Sequence, residues 1–105
     1  MYNDLMKWCD NNKIIERSQK SFWQCFETFK EEDPEEFKKT FKYGLGKVDC
    51  KLSEISFKQN HPDEHGGYVY TTMDILYNDK KIGFIKIIYS YKDGTIYDDY
   101  FVLYD

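Results

Sequence analysis

The sequence predicts an α+β fold in which two or three N-terminal helices pack on a four-stranded antiparallel meander sheet. Three observations carry that expectation. Up to Gly44, apolar residues recur at steps of three and four, the spacing of one helix face. From Lys47 onward the period changes to two, the spacing of a strand. Within that second part, Asn78-Asp79-Lys80 and Asp93-Gly94 are tight-turn signals, spaced so that successive strands pair as hairpins.

The first helical region is marked by Ile15, Ser18, Phe22, Phe26 and Phe29, with Trp23 and Cys25 widening the stripe. Leu5 with Trp8 or Cys9 extends it toward the N-terminus, and the polar run Asp10-Asn11-Asn12 is where it would divide into a short helix and a longer one. A further helix is announced by its start. Asp33 is an N-cap residue, Pro34 suits the first helical position, and Glu36 completes a capping box. Phe37 and Phe41 supply its apolar face, and Gly44 is placed to end it. Glu31, Glu32, Asp33, Glu35 and Glu36 crowd its N-terminal end while Lys38, Lys39 and Lys42 lie toward the other, an order that the helix dipole alone accounts for.

In the sheet, Val48, Cys50 and Leu52 alternate on one parity and Ile55 and Phe57 on the other, so a bulge is expected near Ser53-Glu54. The loop 59–67 reverses the chain into a second strand, Tyr68 to Tyr77, followed by a third, Ile82 to Tyr91, and a fourth, Thr95 to Tyr104. The third strand is apolar on both parities, as a central strand must be. Two registers are open for the last hairpin. A two-residue Asp93-Gly94 turn sets Tyr89 opposite Asp98, and a three-residue Lys92-Asp93-Gly94 turn sets it opposite Tyr97. The order of elements, helices first and a meander after, resembles cystatin-like and NTF2-like domains, in which a curved sheet wraps a helix. Folds of that kind host enzymes, ligand carriers and inhibitors alike.

A chain of 105 residues implies one domain over 1–105, with 1–45 as its helical part and 47–105 as its sheet. With 32% charged and 41% hydrophobic residues, neither disorder nor a membrane span is indicated. The 19% aromatic share implies a core of few, large side chains. Alanine is absent and Arg17 is the only arginine, a bias expected of an AT-rich bacterial or phage gene. A net charge of −4 with a single arginine argues against nucleic acid as a partner, since phosphate recognition needs a basic patch. Cys9, Cys25 and Cys50, odd in number and widely spaced, read as free thiols of a reducing compartment, and the N-terminus lacks a signal peptide's apolar run. A cytoplasmic location is therefore expected.

Few residues suggest chemistry. His61 and His65, with Asp63 and Glu64 between them, carry metal-ligating groups, but Pro62 and Gly66-Gly67 mark an irregular, solvated loop. No metal or other cofactor is expected. Asp98 and Asp99 are strand neighbours whose side chains must point to opposite faces, so they cannot act as a catalytic carboxylate pair. A salt bridge to Lys86 or Lys81, or plain solvation, is their simplest use. Nucleophile elbows and phosphate-binding glycine loops are missing, and no enzymatic activity is expected.

What stands out is Tyr68 to Asp105, which holds eight of the ten tyrosines, and its closing run from Asp93, with four aspartates and no basic residue. Tyrosine joins a large apolar ring to a polar tip, and carboxylates around it would steer a basic partner. The candidate contact residues are Asp93, Tyr97, Asp98, Asp99 and Tyr100, with Tyr68, Tyr70 and Tyr89 from the neighbouring strands. The corresponding expectation is a small inhibitor that occludes the basic surface of a protein partner, as an immunity protein does for a nuclease-like toxin. The alternatives are an NTF2-like pocket between sheet and long helix, or a homodimer closed through the open sheet face.

Overall fold

Three helices precede a four-stranded antiparallel sheet in the computed structural model, which describes residues 2–42, 44, 47–59 and 66–104. The helices are α1 (Tyr2–Asn11), α2 (Ile14–Glu32) and α3 (Pro34–Thr40); the strands are β1 (Val48–Lys58), β2 (Tyr68–Tyr77), β3 (Lys80–Ser90) and β4 (Ile96–Leu103), ordered β1-β2-β3-β4. The α+β class and the meander expected from the periodicity are therefore present. β1 and β4 are the two edges.

The helical half divides where the polar run suggested. Lys13 takes a left-handed conformation (φ 53°) that turns the chain between α1 and α2. Ile14, Ser18, Phe22 and Phe26, four residues apart, are the buried row of α2. Ile14 thus takes the core position assigned to Ile15, because α2 starts directly after the Lys13 turn. Trp23 is 44% exposed, so it flanks the stripe instead of widening it inward, although its ring meets Phe22 and Phe26 edge-on. At α3 the Glu36 N–H donates to Asp33 Oδ1 (3.4 Å), and Pro34 opens the helix. The Glu36 carboxylate is turned to Lys39 (3.7 Å), so only half of the capping box forms. Phe37 of α3 and Phe41 at its C-cap pack their rings on Phe26, each 5.1 Å away, and Phe41 meets Tyr77 of β2.

In the sheet, register shifts between Leu52 and Glu54 opposite Met73 and Thr72, so Ser53 is the extra residue of the expected bulge. Asn78 and Asp79, both with positive φ, turn β2 into β3. The inner face presents Val69, Thr71, Met73, Ile75, Ile85, Ile87 and Tyr89 to the helices, and each is fully buried. The opposite face carries Tyr70, Thr72, Asp74, Phe84, Lys86 and Ile88, with β4 beside them.

The last hairpin adopts neither expected register. Ser90 N–H donates to Thr95 O (2.8 Å) and Gly94 N–H to Ser90 O (2.8 Å), which makes a four-residue loop of Tyr91 to Gly94. Tyr89 consequently faces Ile96, and a shift after Ile88 leaves Tyr97 as the extra residue. The cause is local. A two-residue type I′ turn needs positive φ at both centres, and here only Gly94 (φ 73°) has it. The Asp93 carboxylate accepts instead from Thr95 N–H (3.0 Å) and Thr95 Oγ1 (2.7 Å), which holds the wider loop. A Cβ at position 94 would also collide with Asn12 Oδ1, so the loop seats against the α1–α2 junction.

Cys50 sits in the inner layer of β1, 6% exposed, where burial first and the neighbouring Asp49 charge second push its thiol up to about 11 from 9.0. A folded-state pKa above the unfolded value means stability is intact below pH 9 and is lost as pH rises toward 11. Chemical denaturation across that range should show a fall on the order of 2 kcal/mol from this group. Cys50→Val should flatten that part of the profile. A wild-type profile unchanged by the substitution would mean that the thiol is not held in its neutral form.

Candidate functional site

The candidate surface is built on β4. Among the described residues, seven large hydrophobic side chains are exposed, and five of them, Ile96, Tyr97, Tyr100, Val102 and Tyr104, lie in or directly after this strand. Alternation accounts for the arrangement. Asp98, Tyr100 and Val102 share the open sheet face with Ile88, Lys86 and Phe84 of β3, their register partners. Tyr97, the bulged residue, turns onto the same face and packs on Tyr68 with ring centroids 4.9 Å apart. Tyr70 is half-buried there with Lys58 over its ring at 4.8 Å, and Ile88 beneath these side chains is only 7% exposed. Phe84 and Tyr104 continue the aromatic row, 6.3 Å apart.

Asp98 organises the centre of this face. Its Oδ2 accepts from the Tyr100 hydroxyl (2.9 Å) and its Oδ1 from the Asp99 N–H (2.8 Å). The hydrogen bond to the carboxylate, and then its charge, raise the Tyr100 phenol above its ordinary value. Lys81 does not serve Asp98: it pairs with Asp74 (3.2 Å). Asp93 stands at the same end of the strand as Tyr97, exposed but engaged in the turn with Thr95.

Asp99 points the other way, as alternation requires. It lines a groove of about 510 Å³ between α2 and β4, with Ser21, Cys25, Thr28, Phe29 and Phe101. Burial and then the Asp99 charge raise the Cys25 thiol, so it is a poor nucleophile. A second hollow of about 480 Å³ between α3 and the ends of β3 and β4 includes Asp33, Glu36, Ile82, Leu103 and Tyr104, and Phe29 belongs to both. These two hollows, with Phe29 as their common wall, are together the trough beside β4. Glu32 and Asp99 stand in its first part, Asp33 and Glu36 in its second, and the lysine beside them, Lys39, is paired with Glu36. The trough is not announced by any strand pattern; its only trace in the sequence is Ser21, Cys25, Thr28 and Glu32, which recur at steps of four, three and four on the flank of the apolar stripe.

Tyr89, expected among the contact tyrosines, does not reach the surface: it is fully buried, its hydroxyl shares a 2.8 Å hydrogen bond with Ser18 Oγ, and the Arg17 guanidinium lies 5.0 Å from its ring. Burial raises its phenol, with the Ser18 hydrogen bond opposing. It is a core residue joining β3 to α2. The described inner layer around it is closely packed: Ile14, Phe22, Val69, Met73, Ile85, Ile87 and Tyr89 all have zero exposure.

His61 and His65 lie outside the described residues. Among those described, no group of three or more His, Cys, Asp or Glu side chains is placed to hold a metal ion. No described helix is long and apolar enough to cross a membrane. No family model, no curated protein and no solved structure matches this chain.

Proposed function

We propose that this chain is a small binding protein of the cytoplasm that occludes the basic surface of a protein partner through β4 and its flanks, in the manner of an immunity protein acting on a nuclease-like toxin. One observation carries the reading: a run of exposed aromatic and aliphatic side chains on a strand whose charged residues are all acidic. Tyrosines with a fixed carboxylate at their centre suit an interface, since they bury large area at small entropic cost. Asp93, Asp98 and Asp99 would steer a cationic surface and set its orientation. Tyr97, Tyr100 and Tyr68 would supply contact area, and Tyr70 the edge of the patch. This role needs neither a cofactor nor a reaction.

The test starts from the tagged protein in the cell that encodes it. A stoichiometric basic protein should be retained, and its association rate with the purified chain should fall steeply as salt increases. The double variant Asp98→Lys/Asp99→Lys should associate about tenfold more slowly at low salt and lose most of that salt dependence. Both side chains are exposed, so the fold is expected to tolerate the change. An unchanged association rate would remove this strand as the contact surface.

A further inference from the structure

We propose that the partner engages by strand addition: an extended, lysine- or arginine-bearing segment pairs antiparallel with the free edge of β4 as a fifth strand, its cationic side chains entering the trough beside α2. The inference rests on the basic-partner reading above and names how that partner is held.

The backbone of β4 is available for it. Tyr104 N–H donates to Ile82 O of β3 (2.7 Å), so by alternation Val102, Tyr100 and Asp98 also bond inward. Asp99, Phe101 and Leu103 then turn their N–H and C=O groups outward. Asp98 Oδ1 already occupies the Asp99 N–H, which leaves Phe101 and Leu103 as the open donors. The far edge of the sheet differs. β1 carries a bulge at Ser53 and charged Lys51, Glu54 and Lys58, the usual means of discouraging added strands. Past its bulge at Tyr97, β4 runs unbroken from Asp98 to Leu103 with no lysine and no proline.

Chemistry selects the occupant. Side chains of Asp99, Phe101 and Leu103 lie on the trough side, so residues paired directly opposite them project into the trough too. There a long cationic side chain can lay its stem along Phe29 and Phe101 and bring its charge to Glu32 and Asp99. Residues of the other parity fall on Tyr100 and Val102, which suits apolar or aromatic groups. A second copy of this chain fits less well, because the acidic strand would face itself and like charges oppose pairing.

The experiment uses a fluorescent ten-residue peptide alternating lysine with valine, titrated into the intact protein at low salt, beside a block isomer of equal charge. N-methylation at every lysine removes the amides that would face β4, and N-methylation at every valine removes those that face away. Strand addition predicts loss of affinity by about tenfold or more for the first peptide, little change for the second, and similar slowing of amide exchange at Phe101 and Leu103 on binding. The opposite parity dependence would support strand addition in the parallel sense and overturn the antiparallel one. Equal effects of both methylations, with no protection of those amides, would overturn strand addition and leave the basic-partner reading standing. Failure of both isomers to bind would overturn the proposal, and retention of a basic protein from the cell would then decide the broader reading alone. Protection of the same amides by raised protein concentration without peptide would assign the edge to a second copy and overturn it as well.

Discussion

Phe26→Ala is expected to cost about 3–5 kcal/mol of folding stability, the range for truncating a buried phenylalanine. That is a large share of the roughly 5–15 kcal/mol by which such domains are stable. The position is chosen for what its ring joins. Phe26 is 4% exposed and meets Phe22 and Trp23 of its own helix and Phe37 and Phe41 across the α2–α3 junction. α3 has seven residues, far too few to hold a helix in isolation, so its order depends on that contact. In urea the midpoint should drop with the slope unchanged, and amides of α3 should exchange faster than those of β2 and β3. Phe26→Leu should recover more than half of the loss, because a leucine refills much of the cavity. A loss below about 1 kcal/mol for the alanine variant would show that the surrounding rings close over the gap, and the cluster would not then be what docks α3.

The second large effect is expected at Gly83, where the fold meets the candidate surface. Gly83 is buried and pairs with Leu103; a Cβ there would collide with the Val102 carbonyl oxygen and come within 2.9 Å of the Leu103 Cα. Both obstacles are backbone, so a larger residue cannot be accommodated by a rotamer change. Gly83→Val should therefore cost about 3 kcal/mol, the upper part of the range for overpacking, by pushing the end of β4 off β3. The damage should be local. Amide protection at Val102 and Tyr104 should fall while α2 keeps its own, and binding of a basic partner should weaken through the displaced strand. A Gly83→Val protein with wild-type stability and unaltered protection at Val102 would mean that β4 need not approach so closely.

Element order, the bulge at Ser53 and the start of α3 were legible in the sequence because each is set by neighbouring residues. Opposite parities on either side of Ser53-Glu54 require an extra residue wherever both sets face one core. Asp33 and Pro34 start α3 by satisfying free N–H groups and pre-setting φ, whatever the rest of the chain does. The opposition of Asp98 and Asp99 was equally secure, since alternation is a property of any strand.

The face of Tyr89 was not legible. β3 is apolar on both parities, so the pattern names no inner side. Only the α2 contact through Ser18, fixed once Lys13 has turned the chain, distinguishes the two. The register of the last hairpin escaped for a related reason. Asp93-Gly94 is a turn signal, but turn length was settled by the Asp93 carboxylate on Thr95 and by the seat of Gly94 against Asn12, at the far end of the chain between α1 and α2. The trough beside β4 exists only because α2 and α3 lie at a particular offset over the sheet. No local pattern in β4 encodes that offset.

By itself, then, the sequence determined the α+β class, the helix and strand identities, the central place of β3 and the acidic, aromatic character of β4. Those follow from periodicity, capping and composition, which act over a few residues. Tertiary structure alone decided that Tyr89 belongs to the core, that Tyr97 joins Tyr68 on the open face, and that Asp99 enters a trough along an unpaired strand edge. Each of those turns on which of two equally apolar faces is covered, and only the packing of α2 on the sheet makes that choice.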